Sequence, residues 1–212
     1  MKDTEALIAD LSGKITPTRG ACAYRLFAGC VAALAVYIAL IFATGFRSVR
    51  PDIAAALAQP LFDGEIASLI LLVLSSVYAA ILLGYPDRYQ KPRVMRAVTA
   101  SGAVFILVLA AEALRPGQPM HVSMAGVHCL LCISGLSLLP AALLFVRLRR
   151  MATVAPGLAG MLCALCAFAV GALILRLSEP TDNIAHVVVW HYLPMLGISF
   201  GGFWLGRRVL KW

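Results

Sequence analysis

Six apolar runs of nearly equal length constrain this chain more than any other feature of its sequence. Each is close to the roughly 20 residues that an α-helix needs to cross the hydrocarbon core of a bilayer. Only a helix or a closed barrel can satisfy its own backbone polar groups there, and runs of this length favour helices. The sequence therefore predicts an all-α integral membrane bundle of six transmembrane helices, with the lipid bilayer as a partner. The runs cover residues 26–45, 64–84, 95–113, 124–146, 155–176 and 185–206.

The composition agrees with a membrane protein, and the charge distribution predicts its orientation. Charged residues make up 13% of the 212 residues, whereas a soluble domain typically has about 25%. Fourteen of the 18 lysines and arginines lie in the N-terminal arm, the second and fourth loops and the C-terminal end. By the positive-inside rule, both termini are expected in the cytoplasm. Topology thus explains the net charge of +8, and we expect no direct contact with nucleic acid.

The chain is expected to have two parts, a cytoplasmic N-terminal arm at residues 1–25 and a six-helix transmembrane domain at residues 26–212. The arm is predicted to form a short amphipathic helix. Such a short helix is only marginally stable in water when isolated, so it would fold best against a partner. A disordered tail, or a helix lying on the lipid surface, is an equal alternative from the pattern alone. The arm contains four apolar residues at helical spacing, which predict a short amphipathic helix: Leu7, Ile8, Leu11 and Ile15.

Two further patterns concern packing. The segment "RPDIAAALAQP" between the first two runs predicts a short interfacial helix bounded by prolines. The sixth run contains Gly197-x-x-x-Gly201 and Gly202-x-x-x-Gly206. Such spacings of small residues let two helices approach closely, so we expect packing roles for both pairs.

Cysteines and histidines cluster where two of the runs begin. The fourth run starts with His128, Cys129 and Cys132, and the sixth starts with His186 and His191. In the predicted topology both runs begin at the outer surface, so these side chains share one depth. Thiol and imidazole groups could bind a soft metal, or the thiols could report oxidation. Alternatively, the cysteines pack as small apolar residues and the histidines are hydrogen-bonded interface residues.

Sequence motifs of enzymes are absent, including GxSxG, HExxH and a phosphate-binding glycine loop. We therefore expect no enzyme and no cofactor, apart from a transient metal at the outer cysteine and histidine cluster. Three classes of function stay open on the residues alone. They are a regulatory membrane protein, a membrane thiol-redox or metal-handling protein that uses this cluster, and a structural bundle without a ligand.

Five segments in order and spacing resemble the negative-regulator-of-sigma-F family of six-span anti-sigma factors. The resemblance implies that the N-terminal arm sequesters an extracytoplasmic-function sigma factor at the bacterial inner membrane. It further implies that an envelope stress, such as a metal or an oxidant, releases that partner. The segments are "LIADL", "RPDIAAALAQPLFDGE", "GYPDR", "HCLLCISGLSLLPAALLFVRLRR" and "VVVWHYLP".

The same resemblance implies which residues sense the stress. Family members have a cysteine after a histidine at the start of the fourth span, matched here by Cys129 after His128. Their second cysteine belongs in the outer loop after the fifth span, where this chain has Ser178. A disulfide between these two positions cannot form in this sequence. Cys132, or a metal held by Cys129 with His191 and His128, could replace that route.

Overall fold

The computed structural model describes Thr4 and residues 22–85, 93–117, 121–122, 124 and 126–211. Within these ranges all regular secondary structure is helical, and six of the helices are long and apolar enough to cross a membrane. The predicted all-α fold with six spans is therefore confirmed. The amphipathic helix predicted in the N-terminal arm lies outside the described residues. The helices are α1 (Ala23–Ala43), α2 (Ile53–Leu57), α3 (Pro60–Leu82), α4 (Arg93–Ala113), α5 (Gly126–Arg149), α6 (Pro156–Ser178) and α7 (Ile184–Val209).

Local sequence signals account for several helix ends. Pro60 and Pro156 occupy the first helical positions of α3 and α6, where a missing N–H leaves no hydrogen bond unmade. Asn183 caps α7, because its side-chain oxygen accepts hydrogen bonds from the backbone N–H groups of Ala185 and His186 at 3.1 and 3.3 Å. The short helix predicted between the first two spans is present as α2.

Helix α6 is the centre of the bundle and packs against α3, α5 and α7. In its most apolar stretch, 83% of the residues are buried inside the protein, compared with 11% for α1. Helix α4 packs mainly on α3, and α1 makes only sparse contacts with α3, α5 and α6. A segment with few buried contacts moves at low cost. The span that directly follows the N-terminal arm is thus the one least anchored in the described bundle.

Glycine allows α6 and α7 to approach closely. A Cβ atom on Gly160 of α6 would overlap the carbonyl oxygen of Gly202 and the backbone of Gly206 in α7. The predicted packing role of Gly202-x-x-x-Gly206 is therefore confirmed. At Gly197 and Gly201, a Cβ atom would have no described atom within 4 Å. In the described part of the chain, no helix therefore packs closely against Gly197 and Gly201, and the packing role predicted for that pair is not seen.

This contrast generates a test of the α6 and α7 contact. We expect Gly160→Ala to destabilise the protein by about 1–3 kcal/mol, because the added methyl group meets backbone that cannot move aside. The control Gly201→Ala adds the same methyl group in open space and should be neutral or stabilising. Thermal unfolding in one mild detergent, followed as the monodisperse fraction, measures both variants. Equal stability of the two would contradict the packing assignment.

Candidate functional site: a buried Cys-His-His cluster beside an ion-pair network

One end of the bundle brings together the C-terminal ends of α1 and α6 and the N-terminal ends of α5 and α7. We call it the histidine end, because all four histidines, each a described residue, lie there. Two contacts tie its loops together. The backbone N–H of Arg50 donates to the carbonyl of Leu177 at 3.0 Å, and the Asn183 side chain donates to the carbonyl of His121 at 2.6 Å.

Cys129, His186 and His191 form a buried cluster at this end. One ligand atom from each side chain lies within 4.8 Å of the other two. The Sγ atom of Cys129 is 3.6 Å from Nε2 of His186. His191 is only 1% exposed, and both of its ring nitrogens lack a hydrogen-bond partner among the described residues. A buried imidazole without a partner is costly, so a group that bonds to His191 would stabilise this cluster.

A π-helical turn over Val187–Tyr192 places the two histidines of the cluster on one side of α7. In a regular α-helix, residues five apart point about 140° away from each other. A π-helix is wound more loosely, with i to i+5 hydrogen bonds, and so brings such residues together. The rings of His186 and His191 are accordingly 5.6 Å apart, centroid to centroid. Such turns occur frequently at functional sites. The sequence pattern did not predict this one.

Gly126 lets the start of α5 lie against this π-helical turn. A Cβ atom on Gly126 would overlap the indole ring of Trp190. The glycine therefore allows the backbone approach that places Cys129, one turn further along α5, beside the histidines of α7.

Glu179 connects the cluster to the first span. The thiol of Cys129 donates to Oε2 of Glu179 at 3.5 Å. The other carboxylate oxygen of Glu179 lies 3.9 Å from Nη1 of Arg47, a few residues beyond the end of α1. One carboxylate thus contacts both the buried thiol and the loop that continues α1.

His128 and Cys132 face away from the cluster. His128 is exposed, and its Nε2 lies 3.5 Å from Sγ of Cys132. Cys132 is half-buried and lines a cavity of about 310 Å³ between α1 and α5, together with Tyr37 and Arg47. The structure therefore brings Cys129 and His191 together, and it places His186, and not His128, with them.

Ser178, the position where the resembled family has its second cysteine, is not part of the cluster. Its hydroxyl donates to the carbonyl of Ile174 at 2.6 Å, within α6. The neighbouring Glu179, which sequence reasoning treated only as a loop charge, makes the contact with Cys129 instead.

A buried ion-pair network lies beside the cluster. Arg176 of α6 is 5% exposed and donates to both carboxylate oxygens of Glu65 in α3, at 2.9 and 3.1 Å. Its remaining nitrogen donates to the carbonyl of Thr181 at 2.7 Å and to Asp182 at 3.2 Å. The hydroxyl of Tyr192 in α7 donates to Glu65. Charged groups within a bundle need such partners, because they cannot be hydrated there.

Arg50 extends this network into the loop after α1. It is 2% exposed and donates to Asp52 at 2.8 and 2.7 Å and to Asp182 at 3.0 Å. The hydrogen bond from Arg50 lowers the pKa of Asp52. Partial burial would raise the pKa of Asp182, but the bond from Arg50 and the charge of Arg176 outweigh burial and lower it. Both aspartates are therefore ionised at neutral pH. The Phe62 ring lies beneath both guanidinium groups, 5.2 and 4.7 Å from their central carbons.

Sequence reasoning missed this network, although one signal for it was present. Glu65 lies near the start of the second span and Arg176 at the end of the fifth. In a six-span topology these two ends lie on the same side of the membrane, and the two side chains have opposite charges. They are 111 positions apart in the chain, and the pattern of apolar runs does not say which helices are neighbours.

Comparison with known proteins gives consistent similarities. The family described as "Negative regulator of sigma F" matches residues 11–212. The chain is 27% identical over 216 residues to the "Probable anti-sigma-F factor NrsF" of Azospira oryzae, covering 100% of this chain and 99% of that protein. It is also 27% identical over 188 residues to the "Anti-sigma-F factor NrsF" of Caulobacter vibrioides, covering 86% and 87%. No solved structure matches significantly.

The buried network predicts a large difference between two arginine variants. We expect Arg176→Met to destabilise the protein by about 3–5 kcal/mol, because it leaves the Glu65 carboxylate buried without its partner. The control Arg115→Met removes an exposed arginine that pairs with Glu112 at 3.4 Å, and should cost at most about 1 kcal/mol. Thermal unfolding in detergent compares the two. A similar cost for both would show that the Arg176 pair is not structurally important.

Proposed function

The chain belongs to the family of negative regulators of sigma F, and we propose that it is a membrane anti-sigma factor for an extracytoplasmic-function sigma factor. It holds this partner inactive and releases it under an envelope stress, either a metal or an oxidant. The observation that carries the proposal is the family match over residues 11–212. Two relatives named as anti-sigma factors are similar to this chain over most of their length. The family is regulatory and not enzymatic.

The proposed location is the bacterial inner membrane, with both termini in the cytoplasm. Six described helices that are long and apolar enough to cross a membrane support the membrane location. Orientation follows from the four regions that hold fourteen of the 18 basic residues, since they all lie on one side of a six-span topology. In this orientation the histidine end faces the outside of the cell, where an envelope stress acts.

The N-terminal arm is the proposed output. Its apolar residues would fold onto the sigma factor as a helix in a groove, because a short amphipathic segment gains stability only against a partner. The arm continues into α1, the least buried of the six described spans. A shift of α1 would therefore move the arm without disturbing the well-packed helices. The binding residues are proposed to be Leu7, Ile8, Leu11 and Ile15, which lie outside the described residues.

The histidine end is the proposed input, and two contacts carry its state to α1. Glu179 joins the Cys129 thiol to Arg47, just beyond the end of α1. In α1 itself, the Tyr37 hydroxyl donates to the carbonyl of Leu136 in α5 at 2.8 Å. A stress that changes the environment of Cys129 would strengthen or weaken the contact of Glu179 with Arg47, and with it the position of α1. A stimulus shifts such an equilibrium only through contacts that differ between the two states.

A second function has one observation in its favour. The unpartnered His191 beside Cys129 would also suit a membrane thiol-redox or metal-handling protein. Removal of the N-terminal arm separates the two functions, because a protein that works only through the histidine end would not need it.

Removal of Met1 to Pro17 tests the proposed output. We expect a sigma factor to co-purify with the full chain from its native host in mild detergent and to be absent from the truncated chain, because the apolar stripe is lost. Within the full chain, Leu7→Ser with Leu11→Ser should also lose the partner, whereas the matched control Lys14→Gln should keep it. Absence of a sigma factor from the full-length preparation would overturn the proposal.

Glu179→Gln tests the coupling between the histidine end and α1. The ion pair of Glu179 with Arg47 is long, at 3.9 Å, and both side chains stay partly accessible to solvent. It is therefore expected to contribute about 0.2–1 kcal/mol, and 1 kcal/mol changes an equilibrium about fivefold. We therefore expect uninduced expression from a sigma-dependent reporter to rise by up to about fivefold. The control Glu112→Gln changes the pair with Arg115 at the same end and should leave expression unchanged. No difference between the two variants would contradict this route.

A further inference from the structure

We propose that Cys129, His186 and His191 bind one soft or borderline metal ion, of the Zn²⁺ or Cu⁺ class. The ligand atoms are Sγ of Cys129 and one ring nitrogen from each histidine. The inference rests on the proposed function and deepens it, because binding of the ion at the histidine end would be the inducing signal. Thiolate and imidazole together favour this class of ion over Mg²⁺ or Ca²⁺, which bind oxygen ligands.

The spacing of the three side chains suits a single ion. A tetrahedral zinc site has Zn–S distances of about 2.3 Å and Zn–N distances of about 2.0–2.1 Å. Those bonds place a thiolate sulfur and an imidazole nitrogen about 3.6 Å apart. Sγ of Cys129 and Nε2 of His186 are 3.6 Å apart, and a nitrogen of His191 is within 4.8 Å of both atoms. Small side-chain rotations would bring all three into bonding distance.

His191 is the independent sign that a ligand belongs here. The side chain is 1% exposed, yet neither ring nitrogen has a partner in the described part of the chain. Buried polar groups without partners are rare in folded proteins and call for an explanation such as an ion. The π-helical turn that points His191 toward His186 is likewise the irregular backbone expected at a ligand site.

Charge also balances at this position. On binding, the Cys129 thiol gives up its proton to solvent, and its thiolate bonds to the metal. For Zn²⁺, the Cys129 thiolate and the Glu179 carboxylate 3.5 Å away together supply two negative charges; for Cu⁺, the thiolate alone supplies the one charge needed. The buried site therefore needs no further counter-ion.

Metal binding would be transmitted by Glu179. The S–H group that donates to its carboxylate in the empty site is lost when the thiolate binds the ion. The carboxylate then faces a cation, which competes with Arg47 for it. Binding thus weakens the contact that links the histidine end to the loop after α1.

Cobalt titration of the purified full-length protein tests the site. Chelator-treated protein in mild detergent should bind one Co²⁺ per chain, with near-ultraviolet absorption from a thiolate bonded to cobalt, and Zn²⁺ should displace it. Cys129→Ser should abolish this absorption. His186→Gln and His191→Gln should each weaken binding by at least about tenfold, since loss of an outer-shell partner alone costs 10- to 100-fold.

His128→Gln and Cys132→Ser are matched controls. They remove a histidine and a cysteine from the same helical turns, where the two side chains contact each other outside the cluster. Both should keep the affinity and the absorption of the unaltered protein. Equal loss in the controls, or binding without thiolate absorption, would overturn the assignment.

A second measurement needs no variant and so does not depend on a substituted protein folding. Zn²⁺ should slow alkylation of Cys129 by a thiol reagent but leave alkylation of Cys132 unchanged, as read by mass spectrometry of the unaltered chain. Equal rates with Zn²⁺ and with chelator at Cys129 would refute the site. Failure here, with a sigma factor still co-purifying, would reject the metal and leave the anti-sigma proposal standing. Cobalt binding without any sigma factor would do the reverse.

Discussion

The buried ion pair between Arg176 and Glu65 holds the histidine end together. A guanidinium group and a carboxylate inside a bundle are expensive to place, and they persist only when each satisfies the other. Here the pair is bidentate, and Glu65 also accepts a hydrogen bond from Tyr192. Three spans, α3, α6 and α7, are thereby fixed relative to each other at the depth where the cysteine and histidine cluster lies.

The segment from Glu179 to Tyr192 belongs to both the network and the cluster. Asp182 binds Arg50 and Arg176, Asn183 caps α7, and the π-helical turn follows directly. Glu179, at the start of the segment, contacts Cys129. This short connection is held by the ion-pair network on one side and by the Cys129 thiol on the other. A change at the thiol would therefore act on a fixed segment and not on a loose loop.

The bundle divides into a tightly packed part and a loosely held one. Helices α6 and α7 approach through Gly160, Gly202 and Gly206, where backbone meets backbone. Helix α1 has no comparable interface in the described structure, and the Tyr37 side chain gives it one hydrogen bond, to Leu136 in α5. The loop after α1 meets the histidine end through Arg47 and Arg50. This inequality suits the proposed regulation, in which α1 would shift while the cluster keeps its geometry.

The sequence by itself determined the elements, because the thickness of a bilayer sets the length of each apolar run and the lack of water requires internal hydrogen bonds. It also placed cysteines and histidines at one depth, since helical rise converts position into depth. Only the tertiary structure decided which of them meet. The π-helical turn brings His186, and not His128, to His191. The Ser178 hydroxyl bonds within its own helix, to the carbonyl of Ile174, and the packing of α3 against α6 brings Glu65 to Arg176. Rotation about a helix axis and the choice of neighbours depend on packing across the whole bundle, which no local pattern encodes.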